Sequence, residues 1–397
     1  MTQKDIYLPS KPRYEILDGL RGVAALMVIL FHAFETYIPV FGTQHINHGY
    51  LAVDFFFVLS GFVIGYAYDD RWNRMSNWAF FKRRLVRLHP MVVAGTLIGA
   101  ALFFLGQSEG FPLISKVEAW KFFLCLLMGL LMIPTGPGLD IRGWGETNSF
   151  NGPNWSLTLE YIGNILYAFV LRKLPTAFLA ILTVASIFMT LDMTMGWDVF
   201  GLFAAAKYDV IGGWSLTPDQ IYIGFGRLLY PFLCGLLISR ILPGRMTEKN
   251  PSGSPLGMRG GFWWASLILV VLFATPQIGG RSCVADGLFQ VLAIVVMFPI
   301  VVLIGAGSKT TDKKSTKWCE FLGKISYPLY ITHFPLMYMQ MAWVERNINA
   351  PVWQHIVLNV GIICVAFGIA WACLKLYDEP VRKWLKGKLF ASSKSAK

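Results

Sequence analysis

Long apolar runs recur along the whole chain and limit most strongly what it can fold into. A helix needs about 20 apolar residues to cross a bilayer. Ten stretches meet this criterion approximately: 17–38, 50–68, 89–106, 155–173, 176–193, 219–241, 262–277, 285–305, 326–345 and 353–376. Because 55% of the 397 residues are hydrophobic and 15% are charged, one soluble core cannot bury this surface. The sequence therefore predicts an all-α, polytopic membrane protein with about ten transmembrane helices.

An eleventh apolar run, residues 120–134, is shorter, and the distribution of basic residues predicts its placement. Lys and Arg concentrate in cytoplasmic loops. With ten crossings and a cytoplasmic N-terminus, 28 basic residues lie inside and six lie in outer loops; if 120–134 also crossed, the balance would become 14 against 20. We therefore expect 120–134 to be embedded or re-entrant, and both chain termini to be cytoplasmic.

This orientation divides the chain into three predicted regions. Residues 1–16 form a cytoplasmic N-terminal segment, 17–380 form the membrane-embedded domain, and 381–397 form a basic cytoplasmic tail. No small-residue cleavage site follows the first apolar run, so it is expected to be a retained span and not a removed signal peptide. The tail and the other basic segments border apolar spans, and membrane topology therefore explains the net charge of +12 better than nucleic-acid binding does.

The cysteine and histidine patterns predict neither a disulfide framework nor a metal site. The six cysteines are scattered, without a Cys-x-x-Cys pair, which is the spacing expected of redox and zinc motifs. His45 and His48 lie close together after the first span but lack a third ligand at a suitable spacing. We interpret these two histidines as loop residues or as contacts for a substrate.

His32 stands near the end of the first apolar run, Glu15 to Glu35. An ionisable side chain in hydrocarbon is costly, which makes His32 a candidate functional residue. The alternative is a packing role, in which the imidazole donates a hydrogen bond to a carbonyl of a neighbouring helix.

Five short motifs occur in a fixed order along the chain. They are Leu17-Asp-Gly-Leu-Arg-Gly22 with His32, Phe56-Phe-Val-Leu-Ser-Gly-Phe62, Arg84-x-x-Arg87-x-x-Pro90, Asn154-Trp-Ser-Leu-x-x-Glu160 and Ser326-Tyr-Pro-Leu-Tyr-Ile-Thr-His333. In kind and order they resemble the signatures of the acyltransferase-3 family of integral-membrane acyltransferases. Some bacterial members carry an additional extracytoplasmic hydrolase-like domain, which we expect to be absent because the sequence stops soon after the last predicted span.

The resemblance implies an O-acyltransferase that uses acyl-coenzyme A, with acetyl-coenzyme A preferred, as co-substrate and needs no metal. Such a transfer requires a base for the hydroxyl proton and cations for the anionic donor. The family's histidine in the first motif is required for transfer, which implies that His32 is the general base. The expected partners are membrane lipids and a hydroxyl-bearing acceptor, either a small molecule such as a natural product, a lipid or a sugar.

Arginines at the cytoplasmic start of the third span are candidates for holding the donor. Arg84 and Arg87 lie three residues apart and therefore share one helix face, and guanidinium groups bind phosphate bidentately. Arg83 and Arg21 are further candidates, although Arg21 is equally suited to pairing with Asp18. Anchoring to anionic lipid headgroups is the alternative explanation for these basic residues.

Several other polar residues complete the candidate site. Asp54 can orient the imidazole of His32 or be a plain interfacial carboxylate, and Glu160 can partner His32 or the acceptor hydroxyl. His333 and Tyr330, three residues apart on one helix face, and Trp155 are candidates for contacting the acceptor, although an aromatic and polar face is also common in helix packing.

A multi-pass transporter or exporter of a small metabolite or acylated product is the alternative function. Intramembrane charge and broken helices are features of transport paths as well. The candidate charges and histidines, however, concentrate in the first five predicted spans, and the two halves of the chain lack a matching pair of Gly/Pro-interrupted segments. The sequence therefore favours the enzyme.

Overall fold

The computed structural model describes residues 11–37, 47–204, 207–242, 255–279, 283–310 and 312–390. This part of the chain is helical and contains no β-strand. Residues 1–10, His45 and residues 391–397, which belong to the predicted terminal segments and to the first outer loop, lie outside the described residues.

Twelve helices of eight residues or more occur in the described part. They are α1 Glu15–Glu35, α2 Ala52–Tyr68, α3 Asn77–Leu102, α4 Ala119–Leu130, α5 Asn154–Phe169, α6 Thr176–Thr194, α7 Pro218–Ile241, α8 Gly261–Ala274, α9 Val284–Gly307, α10 Lys313–Thr332, α11 Phe334–Arg346 and α12 Val352–Leu389. Short 3₁₀ turns occur at Gly49–Leu51, Trp72–Arg74, Phe103–Gly106, Ile114–Lys116, Pro137–Leu139 and Leu171–Lys173, and π-helical turns interrupt α9 at Leu292–Met297 and α12 at Cys373–Asp378.

Seven of these helices are long and apolar enough to cross a membrane: α1, α2 with its preceding turn, α3, α6, α7, α9 and α12. The prediction of an all-helical membrane protein is therefore confirmed for the described residues. The count of ten crossings stays a prediction, because α5, α8, α10 and α11 are shorter or more polar than a typical span.

The run 120–134 forms α4 and then a turn. Its 12 helical residues extend about 18 Å at 1.5 Å per residue, less than the roughly 30 Å of a bilayer core. Met132 has a positive φ of 57°, which turns the backbone at the end of the helix. A short embedded element is compatible with this geometry.

Two predicted boundaries are wrong. The expected span 326–345 is divided between α10 and α11, because Pro335 lacks an N–H and begins a new helix after His333. Helix α3 begins at Asn77 and not at residue 89, since Ser76 caps it by accepting the N–H of Ala79 at 3.1 Å. Hydropathy located only the apolar half of α3, because charged residues fill its first turns.

Helix α1 lies in the core and packs against α2, α8, α10 and α11. Helices α2 and α7 cross so closely that a Cβ on Gly61 or on Gly235 would overlap the backbone of the other helix. Small residues of this kind allow helix backbones to approach in a membrane. Helices α1 and α10 also pack directly against each other, which brings the polar residues of these two helices together.

Candidate functional site

Polar side chains from α1, α5 and α10 form a continuous row through the apolar core. At one end, Arg21 Nε donates to Ser326 Oγ at 2.9 Å. One turn further along α10, the hydroxyl groups of Tyr330 and Ser156 are 2.8 Å apart. At the other end, the ring centroids of His32 and His333 are 5.4 Å apart. We call this row the polar seam; its residues are Arg21, Ser326, Ser156, Tyr330, His333 and His32.

His32 lies in the last turn of α1, and its protonation pattern follows from its partner. Its Nδ1 is 2.6 Å from Oε2 of Glu35, and the two side chains remain 18% and 29% exposed. An ionised carboxylate only accepts hydrogen bonds, so Nδ1 donates to Glu35, and in the neutral imidazole Nε2 then carries the lone pair. Phe334 packs edge-on against the imidazole, with the two ring centroids 4.7 Å apart, and so limits the movement of the His32 ring. His32 is therefore oriented with a basic nitrogen available.

His333 occupies the break between α10 and α11 and is fully buried. Its Nδ1 is 2.8 Å from the carbonyl oxygen of Tyr330 and 3.2 Å from that of Leu329. Because carbonyl oxygens only accept, this nitrogen also carries the proton. The Nε2 atom is buried and has no hydrogen-bond partner among the described residues. Two imidazoles, each with a free Nε2, thus lie side by side.

Glu35, the partner of His32 Nδ1, is a site residue that the sequence did not predict. The available signal was its spacing, because residues three apart on a helix lie on the same face, and His32 and Glu35 have that spacing.

Asp54 does not contact His32, so the expectation that it orients this imidazole is wrong for the structure described. Its carboxylate instead receives Arg227 Nη2 at 2.7 Å, and both side chains are at most 3% exposed. Arg227 also donates to the carbonyl of Tyr50 at 2.7 Å, and its guanidinium lies 5.2 Å from the ring centroid of Trp155. Asp54 therefore belongs to a buried ion pair with Arg227 on α7, and the ring of Trp155 lies beside the cation of that pair.

Replacing Arg227 with methionine is expected to lower the free energy of unfolding by about 3–5 kcal/mol, because Asp54 is left as a buried, unpaired charge. Adding Asp54→Leu to that variant should recover most of the loss, since apolar side chains then replace both charges. Unfolding in detergent micelles measures both values. Lys375→Met is the control, because its pair with Glu379 is about half exposed and is worth about 0–1 kcal/mol. An equal loss in Arg227→Met and the control would contradict the prediction.

Glu160 also differs from expectation, since it contacts neither His32 nor another imidazole. Its Oε1 accepts Arg84 Nη2 at 2.6 Å and the hydroxyl of Ser60 at 3.1 Å. Glu160 also lies near Arg87, which is close to Arg21, so it is nearer to the Arg21 end of the polar seam than to His32. Glu160 therefore compensates the charge of a buried arginine.

Three arginines gather at the Arg21 end of the polar seam. Arg87 lies close enough to Arg21 and Arg84 for their charges to repel its own, and its guanidinium has no hydrogen bond to any described residue. Arg84 Nε is buried and also unpartnered, while Arg21 is 3.3 Å from Asp18. We call Arg21, Arg84 and Arg87 the arginine cluster. Its unused N–H donors suit an anionic group.

Arg83 lies outside the arginine cluster. Its Nη1 donates to the carbonyl of Ala79 at 3.1 Å, and its guanidinium lies 5.0 Å from the ring centroid of Phe390. Arg83 therefore faces the C-terminal end of α12, although it is next to Arg84 in sequence.

The segment 135–153 is folded against α11 near the His32 end of the seam. Tyr338 donates to Oε2 of the buried Glu146 at 2.5 Å, and the N–H of Gly152 donates to the Tyr338 hydroxyl at 3.1 Å. The guanidinium carbon of Arg142 lies 3.6 Å from the ring centroid of Tyr338. Burial raises the pKa of Glu146 to about 7. The loss of water around this carboxyl group therefore favours its uncharged form, compared with an exposed glutamate.

No group of three or more His, Cys, Asp or Glu residues in the described part is arranged to hold a metal ion. His48, considered above as a loop histidine, is buried and bonds through Nε2 to Asp286 at 3.1 Å and through Nδ1 to the carbonyl of Thr275 at 2.8 Å. Both of its nitrogens are therefore already used.

Comparisons with known proteins identify a family and several relatives of this chain. A family model described as an acyltransferase domain, the acyltransferase-3 model, matches residues 14–375. The chain is 34% identical over 163 residues to Protein 2 in picA locus of Rhizobium radiobacter, covering 39% of this chain and 81% of that protein. It is 25% identical over 393 residues to O-acetyltransferase OatA of Staphylococcus aureus, covering 94% of this chain and 58% of OatA. The chain thus spans less than two thirds of the length of OatA. No solved structure matches the chain.

Proposed function

Because the chain belongs to the acyltransferase-3 family of membrane acyltransferases, we propose that it is an O-acyltransferase that transfers an acyl group from acyl-coenzyme A to a hydroxyl acceptor. Acetyl is the expected acyl group, since the relative OatA is named an O-acetyltransferase. A small molecule, a lipid or a sugar is the proposed acceptor. The observation that carries the proposal is the orientation of His32, whose Nδ1 is bound to Glu35 Oε2 at 2.6 Å, which leaves Nε2 available.

His32 acts as the general base in this proposal. Its Nε2 takes the proton of the acceptor hydroxyl while the oxygen attacks the thioester carbonyl carbon. The carbon–sulfur bond then breaks, and the coenzyme A thiolate leaves with a proton returned by the imidazolium. The products are an ester and free coenzyme A. Glu35 favours the reaction because a carboxylate at Nδ1 stabilises the positive charge that His32 acquires.

His333 supports the same step as a hydrogen-bond acceptor. Because its Nδ1–H is bound to a backbone carbonyl, only the lone pair on Nε2 is available. Two imidazoles joined by an N–H···N bond of about 2.9 Å have ring centroids roughly 5 Å apart, and the distance of 5.4 Å is near that value. We assign His333 to receiving the Nε2–H of protonated His32. Tyr330, which lies next along the seam, borders the space for the acceptor.

The arginine cluster holds the phosphate groups of the donor. Arg87 has a free guanidinium, and Arg84 keeps a free Nε; both can bind phosphate oxygens. From Arg21 to His32 the helix rises about 16 Å, a distance that the extended phosphopantetheine arm of coenzyme A can span. The thioester can therefore reach His32 while the phosphates stay at the cytoplasmic end.

The proposed reaction is tested directly by purified protein in lipid nanodiscs with acetyl-coenzyme A and an extract of the native cell as acceptor source. We expect release of free coenzyme A that depends on the extract, measured by thiol titration. A transporter would bind a metabolite without cleaving the thioester. Absence of thiol release with every acyl donor offered would overturn the proposal.

The proposed orientation predicts opposite labelling of two engineered cysteines. In a protein whose exposed Cys364 is replaced by alanine, Gly138→Cys should react with an impermeant maleimide from the outer side, and Lys314→Cys only from the cytoplasm. Position 138 is suited to the test because no heavy atom lies within 4 Å of an added Cβ. Labelling of Gly138→Cys from the cytoplasm and of Lys314→Cys from the outer side would mean that α4 crosses the membrane.

A further inference from the structure

A small cavity lies beside the polar seam, between α3, α4 and the start of α5. Its wall includes the backbone of 148–151, whose Asn151 donates to the carbonyl of Ile331 at 2.8 Å, two residues before His333. The space open to the centre of a water molecule is about 10 Å³. Its lining contains amide and hydroxyl groups but no charged side chain: Thr96, Cys125, Gly129, Thr135, Thr147, Asn148, Ser149, Phe150, Asn151 and Asn154.

Six polar atoms of this lining are buried and lack a hydrogen-bond partner among the described residues. They are Thr96 Oγ1, Asn148 Oδ1, Ser149 Oγ, Asn151 Oδ1, and Oδ1 and Nδ2 of Asn154. All five side chains are at most 4% exposed. Buried polar atoms in proteins are bonded in the great majority of cases, to protein or to ordered water. A concentration of six around one cavity therefore indicates a ligand.

The orientation of Thr96 supports the same conclusion. A threonine inside a helix commonly donates its hydroxyl to the carbonyl four residues earlier. Thr158, Thr183, Thr194 and Thr332 do so here, at 2.7–3.2 Å. Thr96 lies in the middle of α3 and makes no such bond. Its hydroxyl is therefore available to the cavity and not to its own helix.

We propose that this cavity binds at least one ordered water molecule, which joins α3 to the segment that leads into α5. Ions do not fit, because no charged group lines the space. A larger ligand does not fit, because the volume suffices for about one water. Water matches the lining since it both donates and accepts, and Thr96, Ser149 and Asn154 can donate while Asn148 and Asn151 can accept. The bound water fixes Asn154, which directly precedes Trp155.

The substitution Thr96→Val tests the proposal by the sign of its effect. Valine has nearly the shape of threonine but cannot bond water. If water is bound, the variant leaves it with one partner fewer, and we expect the Tm in detergent to fall by about 1–4 °C. If the cavity is dry, the same change removes a buried unpaired hydroxyl, and the Tm should rise. Thr183→Val is the matched control, because its hydroxyl already bonds to Leu179; its Tm should change by less than about 1 °C.

A high-resolution structure of the wild-type protein provides the second measurement. We expect a water peak within hydrogen-bond distance of Thr96 Oγ1 and of the Asn154 amide. A Tm that rises or stays equal to the control in Thr96→Val would overturn the proposal, and so would an empty cavity in density that resolves other buried waters. Both measurements are independent of acyl transfer, so their failure would leave the proposed function untouched.

Discussion

Replacing His32 with alanine is expected to lower the rate of acyl transfer by about 10²–10⁴-fold, the usual contribution of a general base. The protein should still insert and fold, because alanine preserves the apolar character of α1 and its match to the lipid. His32→Gln should fail as well, since an amide cannot accept a proton near neutral pH. The measurement is the initial rate of acceptor-dependent release of coenzyme A by equal amounts of folded protein.

His355→Ala is the matched control for this prediction. His355 is also an imidazole in a membrane helix, but it contacts Tyr37 at 3.3 Å and lies outside the polar seam, so its removal should leave the rate nearly unchanged. Glu35→Gln should give an intermediate loss, because the glutamine carbonyl still accepts Nδ1–H but no longer stabilises an imidazolium. Near-normal turnover in His32→Ala would refute the assignment and make His333 the leading base.

The helical fold could be predicted because apolar length alone limits a chain in a membrane. The same reasoning failed wherever the backbone changes direction inside an apolar run. The break at His333 depends on Pro335, whose effect on hydropathy is small. The start of α3 depends on a cap at Ser76, which stands outside the apolar stretch.

The candidate site could be predicted in part, because its motif residues are recognisable one by one. Which of them meet depends on how helices far apart in sequence rotate against one another. Asp54 and Arg227 are 173 residues apart, and no local periodicity indicates that α2 and α7 bring them together. The polar cavity is equally hidden, since Thr96 belongs to none of the five motifs and only packing isolates it and Asn154 from water.

Replacing Arg87 with alanine is expected to raise the KM for acyl-coenzyme A by about 10–100-fold, the equivalent of 1.5–3 kcal/mol for a hydrogen bond to a charged group. Arg87 is the sharpest test of the arginine cluster because its guanidinium bonds to no described residue and can be removed without orphaning a partner. Arg84→Ala should have a similar effect on the donor but also lower stability, since Glu160 loses its ion pair at 2.6 Å.

Lysine substitution distinguishes phosphate binding from a role in topology or lipid anchoring. A planar guanidinium gives phosphate two parallel hydrogen bonds, whereas an ammonium offers a point charge, so Arg87→Lys should recover only part of the affinity. The positive-inside rule counts both residues alike, and a topological role would therefore be fully restored. Arg83→Ala is the matched control, because this arginine is on the same helix but faces Phe390. A KM equal to the wild-type value in Arg87→Lys, or equal losses in Arg83→Ala and Arg87→Ala, would exclude bidentate phosphate binding and leave these arginines as anchors.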